Sequence, residues 1–455
     1  MNQAAASRPD GRAPLAAFFS FVLPGLGQAY NRQFRLALLL GLPAGVLGWL
    51  VLAAAARGGQ VLTELLDVRV LVAIILLNLG LLGWRAVAIY QAHVAREAPG
   101  RRRWTTWVTV ALLVATLGMH LVPAWYATAT IDTLNVVSRG GGGGGGILNA
   151  PPKDLLEPLP SRTAPPAPYQ EPEATPVGLT GRFTILLVGI DAGPGRNTYG
   201  TDTMIVATLD PRSGASLISI PRDTFAAPLG DGRIYYAKLN SLLAYARRDL
   251  ATYPLGGPET LKASVGALLG IQIDYIAAAD FLGFTSAVDA VDGVDVTVAR
   301  SVHDFGYVDE YNNLVGFHIE PGTYHMDGYT ALAFARSRKG AGDNDFTRAD
   351  RQQRVIEALV TRMRGGSWLF NLPSLLNALG DSVATDIPGE LLPHLARAML
   401  DADLSDIQRL VIDRPLVQSD TLTDGTYVLI PDLEAIRAAV HDMLTDVTRA
   451  TPPPD

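Results

Sequence analysis

Apolar positions follow two different rhythms along the chain. In the first third they run on almost without interruption. Residues 34–56, 68–90 and 104–129 each hold roughly twenty mainly apolar residues, enough to cross a bilayer as a helix. Trp104, Trp107, Trp125 and Tyr126 stand where interfacial anchors belong. From residue 181 the apolar runs shorten and change period. RFTILLVGI (182–190) is continuous, as expected of a strand buried on both faces. TMIVATLD and ASLISIP flank the turn PRSG (211–214), which predicts a hairpin or close pair of strands. PETLKASVGALLG (258–270) has helical spacing and stops at Gly270. DYIAAAD and VDVTVA are further strands, with FLGFTSAVDAV the helix between them. YTALAFARSR and TRADRQQRVIEALVTRM read as helices on either side of a KGAGDND loop. After residue 370, LPSLLNAL, GELLPHLARAML and LEAIRAAVHDML are helical, and LVID with TYVLIP is a strand pair.

This order predicts an α/β domain, a three-layer sandwich around a central mixed sheet, preceded by an all-α transmembrane region. The expected organisation is a membrane region over 1–130 with about three transmembrane helices, a linker over 131–180, a globular domain over 181–449 and a tail over 450–455. The linker contains the unbroken run Gly140–Gly146 and then a Pro-rich stretch, a composition that buries no core and serves as a flexible, then extended, tether. FFSFVLPGLGQAYNRQ (18–33) is apolar for too short a stretch to span and is broken by Pro24, Gly25 and Gly27. It resembles the PGxGQxY segment of small bacterial membrane domains and reads as an interfacial or re-entrant piece.

Charge sets the expected orientation. Arg8, Arg12, Arg32 and Arg35 precede the first span, and Arg96, Arg101, Arg102 and Arg103 separate the second from the third. The positive-inside rule then puts the N-terminus in the cytoplasm and everything beyond about residue 129 outside, on a multi-pass cell-membrane protein. Arg85 can snorkel to the cytoplasmic face. The net charge of −7 offers no basic surface for nucleic acid. The absence of cysteine excludes disulfides, thiolate metal sites and cysteine nucleophiles. The seven histidines show no HExxH or paired spacing, so a histidine metal site is not expected.

Several charged groups do not fit a solvated surface. Asp191 follows the strand ILLVGI, and Asp202 is expected to begin the next strand in YGTDTM. Taken singly, each could cap a turn. Together, two carboxylates at adjacent strand starts could share a hard divalent cation, since Mg²⁺ favours one or two carboxylates plus phosphate oxygens. Arg222 and Asp223 in SIPRDT follow a buried strand, where a weak surface ion pair is the simpler reading. Lys238 and Asn240 in KLN add a cation and an amide at the start of a helix. Arg336, Arg338, Arg348 and Arg351 fall within sixteen residues, and Arg348 lies in a first helical turn, where the dipole disfavours a cation. Arg348 and Gln352 share a face at i, i+4, while Val355, Ile356, Leu359, Val360 and Met363 supply the buried side. Cations from four segments with two carboxylates suit a pyrophosphate and its metal, because guanidinium forks match phosphate geometry. That is equipment for phosphoryl transfer, which is largely positioning and electrostatic stabilisation. No Walker A loop or GxGxxG fingerprint is present, so a nucleoside triphosphate is not the expected substrate.

The motifs LLVGID, TDTMIVATLDP, SIPRDT, KLN, IDYIAAADFLGFTSAVDAVDGVDV, PGTYHMDGYTALAFARSRK and DNDFTRADRQQRVI together resemble the LytR-CpsA-Psr family. The resemblance covers roughly 183–365 strongly and extends more loosely to about 446. It implies a membrane-anchored, Mg²⁺- or Mn²⁺-dependent phosphotransferase that moves a glycopolymer from a polyprenyl-pyrophosphate carrier onto peptidoglycan. It assigns Asp191 and Asp202 to the metal, and Arg222, Arg336, Arg338, Arg348 and Gln352 to the pyrophosphate. Asp223, Lys238 and Asn240 fall in family motifs as substrate-binding candidates, and an apolar tunnel for the lipid is implied. One departure stands out: where the family usually carries an arginine just before the metal aspartate, this chain has Gly200, and Arg196 is the nearest substitute. The family's usual single span also contrasts with the three expected here. Two other functions need the same residues: a pyrophosphatase acting on the lipid carrier, and a non-catalytic polyprenyl-phosphate binding protein.

Overall fold

The computed structural model describes residues 12–55, 64, 67–95, 103–138, 182–193, 196–210, 214–340, 342–363, 382–401 and 407–445. The chain divides into two compact units, Met1–Ile131 and Asp132–Asp455. The expected linker from 139 onward, the LPSLLNAL helix and the tail lie outside the described residues.

Among the described residues the first unit is helical: α1 (Arg12–Val22), α2 (Leu26–Tyr30), α3 (Phe34–Ala55), α4 (Val68–Val94) and α5 (Arg103–Ser138), whose last residues belong to the second unit. Stretches of α4 and α5, Val68–Val94 and Trp104–Asp132, are long and apolar enough to cross a membrane. In α3 the apolar stretch of described residues is only Phe34–Leu50, shorter than a span, with Pro43 inside the continuous helix. The third expected span begins as anticipated but continues as helix to Ser138, past the expected start of the linker. FFSFVLPGLGQAYNRQ forms the end of α1, a break and α2. Gly25 makes the break at φ +99, where its missing Cβ would meet Ala37 O at 2.5 Å. Gln28 turns inward, donating to Ala88 O at 2.7 Å and to Gln91 Oε1 at 2.9 Å. Arg85 donates to Phe21 O at 2.6 Å, satisfying a carbonyl at the end of α1.

The second unit is built on a mixed six-stranded sheet. Its strands are β1 (Phe183–Gly193), β2 (Arg196–Asp210), β3 (Gly214–Ser219), β6 (Tyr275–Ala279), β11 (Val383–Thr385) and β12 (Gln408–Val411), in the order β11-β6-β1-β2-β3-β12. β1 is central, antiparallel to β2 and parallel to β6. β2 and β3 form the expected antiparallel pair. One sheet face is sealed: Leu186, Val188 and Ile190 pack with α6 (Leu242–Arg248), α7 (Gly256–Leu269) and α12 (Leu433–Thr445). The C-terminal end of α7 is closed by Gly270 in the left-handed conformation, as its sequence position predicts. On the other side lie α8 (Phe281–Ala290), α9 (Gly328–Arg336) and α10 (Asp345–Met363), which share a second core with β7 (Val294–Val298).

Two expectations need correction. The central strand is not buried equally on both faces, because Ile185, Leu187 and Gly189 are only half-buried. LVID and TYVLIP are not a pair: β12 joins the main sheet beside β3, while β14 (Tyr427–Pro431) pairs with β13 (Val417–Thr421). Local sequence marks both as strands, but pairing is a long-range choice it does not encode. Likewise β7 pairs with β10 (Gly322–Met326), and β4 (Phe225–Pro228) with β5 (Ile234–Lys238), in separate two-stranded sheets, while α11 (Leu392–Asp401) packs Leu395 with Phe183 of β1.

Candidate functional site

The site grows from the start of α10. Asn344 Oδ1 accepts from the backbone N–H of Phe346 and of Thr347, each at 2.9 Å, which fixes the first turn. Within that turn Arg348 Nη1 lies 3.2 Å from Asp345 Oδ1. The cation disfavoured by the dipole is therefore offset in part by an adjacent carboxylate. Arg351 is buried and does a different job. It donates to Phe334 O at 3.0 Å, to Ser337 O, and to Asp343 Oδ1 at 2.7 Å, tying the end of α9 and the following loop to α10. Gln352, one turn beyond Arg348, donates to Thr203 Oγ1 at 2.9 Å and reaches the sheet. Gly189 makes room for this, since a Cβ there would lie 2.9 Å from Thr203 Cβ.

The end of α9 supplies two more cations. Arg336 lies over the Phe281 ring at 3.8 Å and donates to Tyr307 Oη at 3.3 Å, so its planar group is held by aromatic faces and an acceptor. Burial pushes the Tyr307 phenol up to about 12, with Arg336 opposing, so it stays neutral at physiological pH. Beyond Ser337 the chain turns extended. There the backbone N–H groups of Arg338 and Lys339 donate to the buried Asp304 Oδ2 at 2.9 and 3.2 Å. Asp304 and Arg351 thus pin the corner that carries Arg336 and Arg338.

The aspartates lie where the β1–β2 ladder loses register. Gly189 faces Thr203 and Ile190 faces Thr201, so Asp202 is the extra residue of a bulge; a second irregularity spans Asp191. Asp202 is therefore not at a strand start, as expected, but within a strand. Bulges re-aim side chains and concentrate beside active sites. Arg222 Nη1 donates to Asp202 Oδ2 at 2.7 Å, and its Nε lies 3.6 Å from Asp345 Oδ2 and 3.8 Å from Asp223 Oδ2. Burial alone would lower the Arg222 pKa, but Asp202, Asp345 and Asp223 hold it above its ordinary value. Arg348 shows the opposite balance. Burial, with repulsion from Arg222 and Arg338, holds it below its ordinary value despite Asp345 and Asp202.

These groups meet around one cavity of about 320 Å³. Its polar end carries Asp191, Asp202, Arg336, Arg338, Arg348 and Gln352; its other walls include Leu187, Phe284, Leu332, Ile356, Leu359 and Val383. This accounts for the half-burial of Leu187 and Gly189, which line the cavity; Ile185 on the same face packs against a small core of Phe183, Ile387, Leu391 and Leu395. Six of the ten sequence candidates therefore converge. Arg222 stands beside them, lining an adjoining pocket with Asp202, Asp345 and Arg348. Asp223, Lys238 and Asn240 do not line the cavity. Lys238 Nζ pairs with Asp223 Oδ1 at 2.7 Å, and the Asn240 N–H donates to Arg222 O at 3.1 Å, so this group braces Arg222. At Gly200 a Cβ would meet only Asp202 Oδ1 at 3.8 Å and Asn240 Nδ2 at 4.0 Å, so a side chain would fit there. The Arg196 side chain lies outside the described residues.

Sequence reading missed Asp345, Asp304, Phe281 and Tyr307. Asp345 had a signal, an acid at a helix start three residues before the arginine it pairs with. Asp304 and Tyr307 approach from a distant hairpin and gave none.

The chain spans about half the length of the first of the curated relatives it matches. It is 33% identical over 207 residues to the polyisoprenyl-teichoic acid--peptidoglycan teichoic acid transferase TagV of Bacillus subtilis, covering 45% of this chain and 50% of that one. It is 32% identical over 207 residues to the corresponding TagU of Halalkalibacterium halodurans, covering 45% of this chain and 61% of that one. Among solved structures, that of B. subtilis TagV aligns at TM-score 0.45 with 28% identity, over 60% of this chain and 99% of the other. The model of the LytR_cpsA_psr family matches residues 167–443, more than half of the chain and all the elements that build the cavity, and the protein belongs to that family.

Proposed function

We propose that the protein is a membrane-anchored phosphotransferase that moves a teichoic-acid-like glycopolymer from a polyprenyl-pyrophosphate carrier onto peptidoglycan. One observation carries the reading: a single cavity joins a polar end rich in guanidinium groups to apolar walls, which suits a pyrophosphate with a hydrocarbon tail. Arg336, Arg338 and Arg348 bind the pyrophosphate oxygens, and Gln352 holds Arg348's helix to the sheet through Thr203. An acceptor hydroxyl oxygen attacks the phosphorus that bears the sugar. The new P–O bond forms, the bond to the bridging oxygen breaks, polyprenyl phosphate leaves, and the hydroxyl proton is released to water. The cations offset the charge that grows on the leaving phosphate.

The donor set fits a divalent ion that shares its shell with the substrate. Asp191 and Asp202 both line the polar end, while among the described residues no group of three or more acidic or histidine side chains could hold a metal alone. When bound, Mg²⁺ or Mn²⁺ would neutralise phosphate charge there. The two apolar helices support a membrane anchor, and Arg96, Arg101, Arg102 and Arg103 between them favour a cytoplasmic connection there, with the domain that follows α5 external.

The full chain, reconstituted with a polyprenyl-pyrophosphate oligosaccharide and peptidoglycan fragments, should yield polymer-linked peptidoglycan, and chelator should abolish it. Free phosphorylated polymer instead would identify a pyrophosphatase. Binding of the carrier with no product would identify a lipid-binding protein. Either result overturns the proposal.

A further inference from the structure

The hairpin of β8 (Val302–Asp304) and β9 (Phe317–Ile319) has two unlike sides. Gly306, Tyr307 and Val308 on its loop line the cavity. Facing outward on the same loop, Phe305 is 82% exposed, Leu314 71%, Tyr311 55% and Val315 50%. The three acids of this stretch are buried instead. Asp304 accepts from the backbone N–H groups of Gly306, Arg338 and Lys339, and Asp309 from those of Tyr311 and Asn313. A loop facing water ordinarily exposes its charges and withdraws its large apolar groups. Here the arrangement is reversed, and the other exposed loop residues, Asn312 and Asn313, are neutral.

We propose that this loop is a lipid-docking lip. Phe305, Tyr311, Leu314 and Val315 enter the interfacial layer of a bilayer, and a polyprenyl chain passes from the bilayer into the adjoining cavity without crossing water. Three features favour lipid as the occupant. The exposed patch is continuous with the cavity wall, its own exposed side chains are aromatic, aliphatic or neutral amides with only the Lys339 ammonium beside it at Gly306 O, a mixture the headgroup boundary accepts, and the same chain carries two helices able to cross a membrane. The inference rests on the cavity being a polyprenyl site.

The chain has no cysteine, so Leu314→Cys and Thr423→Cys each provide a unique labelling position on exposed backbone. The full-length variants would carry an environment-sensitive fluorophore and be reconstituted in phosphatidylcholine–phosphatidylglycerol vesicles containing doxyl lipid. The label at 314 should be quenched strongly and the label at 423 little. Equal quenching overturns the proposal. Shielding of the 314 label from aqueous iodide without quenching by doxyl lipid also overturns it, since a protein would then cover the patch. In the Phe305→Asn/Leu314→Asn double variant, transfer from membrane-borne substrate should fall severalfold, while binding of a short-chain, detergent-soluble polyprenyl pyrophosphate stays unchanged. Undiminished transfer would remove the delivery role. If the unaltered chain binds no such soluble ligand, the cavity reading itself fails, an outcome distinct from a failure of docking.

Discussion

The two faces of the central sheet use the same strands for opposite ends. On one, Leu186, Val188 and Ile190 are sealed against α6, α7 and α12. On the other, Leu187 and Gly189, one residue out of step, line the cavity, and the helices stand off to leave it open. Alternation along a strand thus assigns stability to one face and ligand binding to the other. The open face bears what a core would reject: three arginines around one space, with Arg348 held below its ordinary pKa. Polar struts add to the packing of α8, α9 and α10 in setting its geometry. Arg351 and Asp304 hold the corner of Arg336 and Arg338, and Thr203 holds Gln352.

Substitutions should separate the faces. The largest stability effect belongs to the sealed side. Leu186→Ala removes a fully buried side chain and should cost about 2–5 kcal/mol by urea denaturation. Transfer per folded molecule should stay near its starting value; a large loss would mean the faces are not independent.

On the open side the effect should move from stability to rate. Arg348→Ala should lower transfer by roughly 10²–10³. Its effect on the denaturation midpoint of the ligand-free domain should be small, because Asp345 keeps Arg222 nearby and a repulsion is removed. Arg348→Lys should rescue little, since an ammonium cannot reproduce a bidentate fork. A marked loss of stability with transfer intact would make Arg348 one more strut.

Gly189→Ala tests the contact between the faces. The new methyl would press on Thr203 and disturb its bond from Gln352, at a cost of about 1–3 kcal/mol. The KM for lipid substrate should rise as Gln352 and Arg348 shift together. An unchanged KM would show that Thr203 can move without them.

The smallest effect concerns acid. Burial would raise the Asp345 pKa, but Arg348 and Arg222 outweigh it and hold the carboxyl below its ordinary 3.8. A carboxyl with a depressed folded pKa adds stability that is full above the unfolded value and lost as pH falls through the folded one. Asp345→Asn should therefore reduce the loss of stability on acidification below about pH 4, and an identical acid profile would show that the pairing contributes nothing.

Much of this was legible in the chain. The helical anchor, the strand runs ILLVGI and DYIAAAD, the stop at Gly270 and the helix from DFTR to its methionine all follow from local periodicity and capping. The gathering of Asp191, Asp202, Arg336, Arg338, Arg348 and Gln352 around one cavity was foreshadowed too, because each stood in a motif whose charge was unsuited to an ordinary surface. Arg348 and Arg351, three residues apart on one helix, show where sequence stops: one lines the cavity and the other is a buried strut. Charge and spacing are nearly the same for both. Their surroundings differ only because α9 ends against Arg351 while β2 passes Arg348.

What the sequence alone determined was the inventory: which segments are helix or strand, where the long apolar helices lie, and which charged residues stand in motifs that line the cavity. Tertiary structure decided the register of β2, whose bulge turns Asp202 toward the cavity, and the approach of a distant hairpin that brings Asp304 and Tyr307 to the arginines. It also set the gap between sheet and helices that became a cavity. Local signals act over a turn of helix or a strand, whereas these outcomes depend on backbone pairs and packed side chains tens to more than a hundred residues apart.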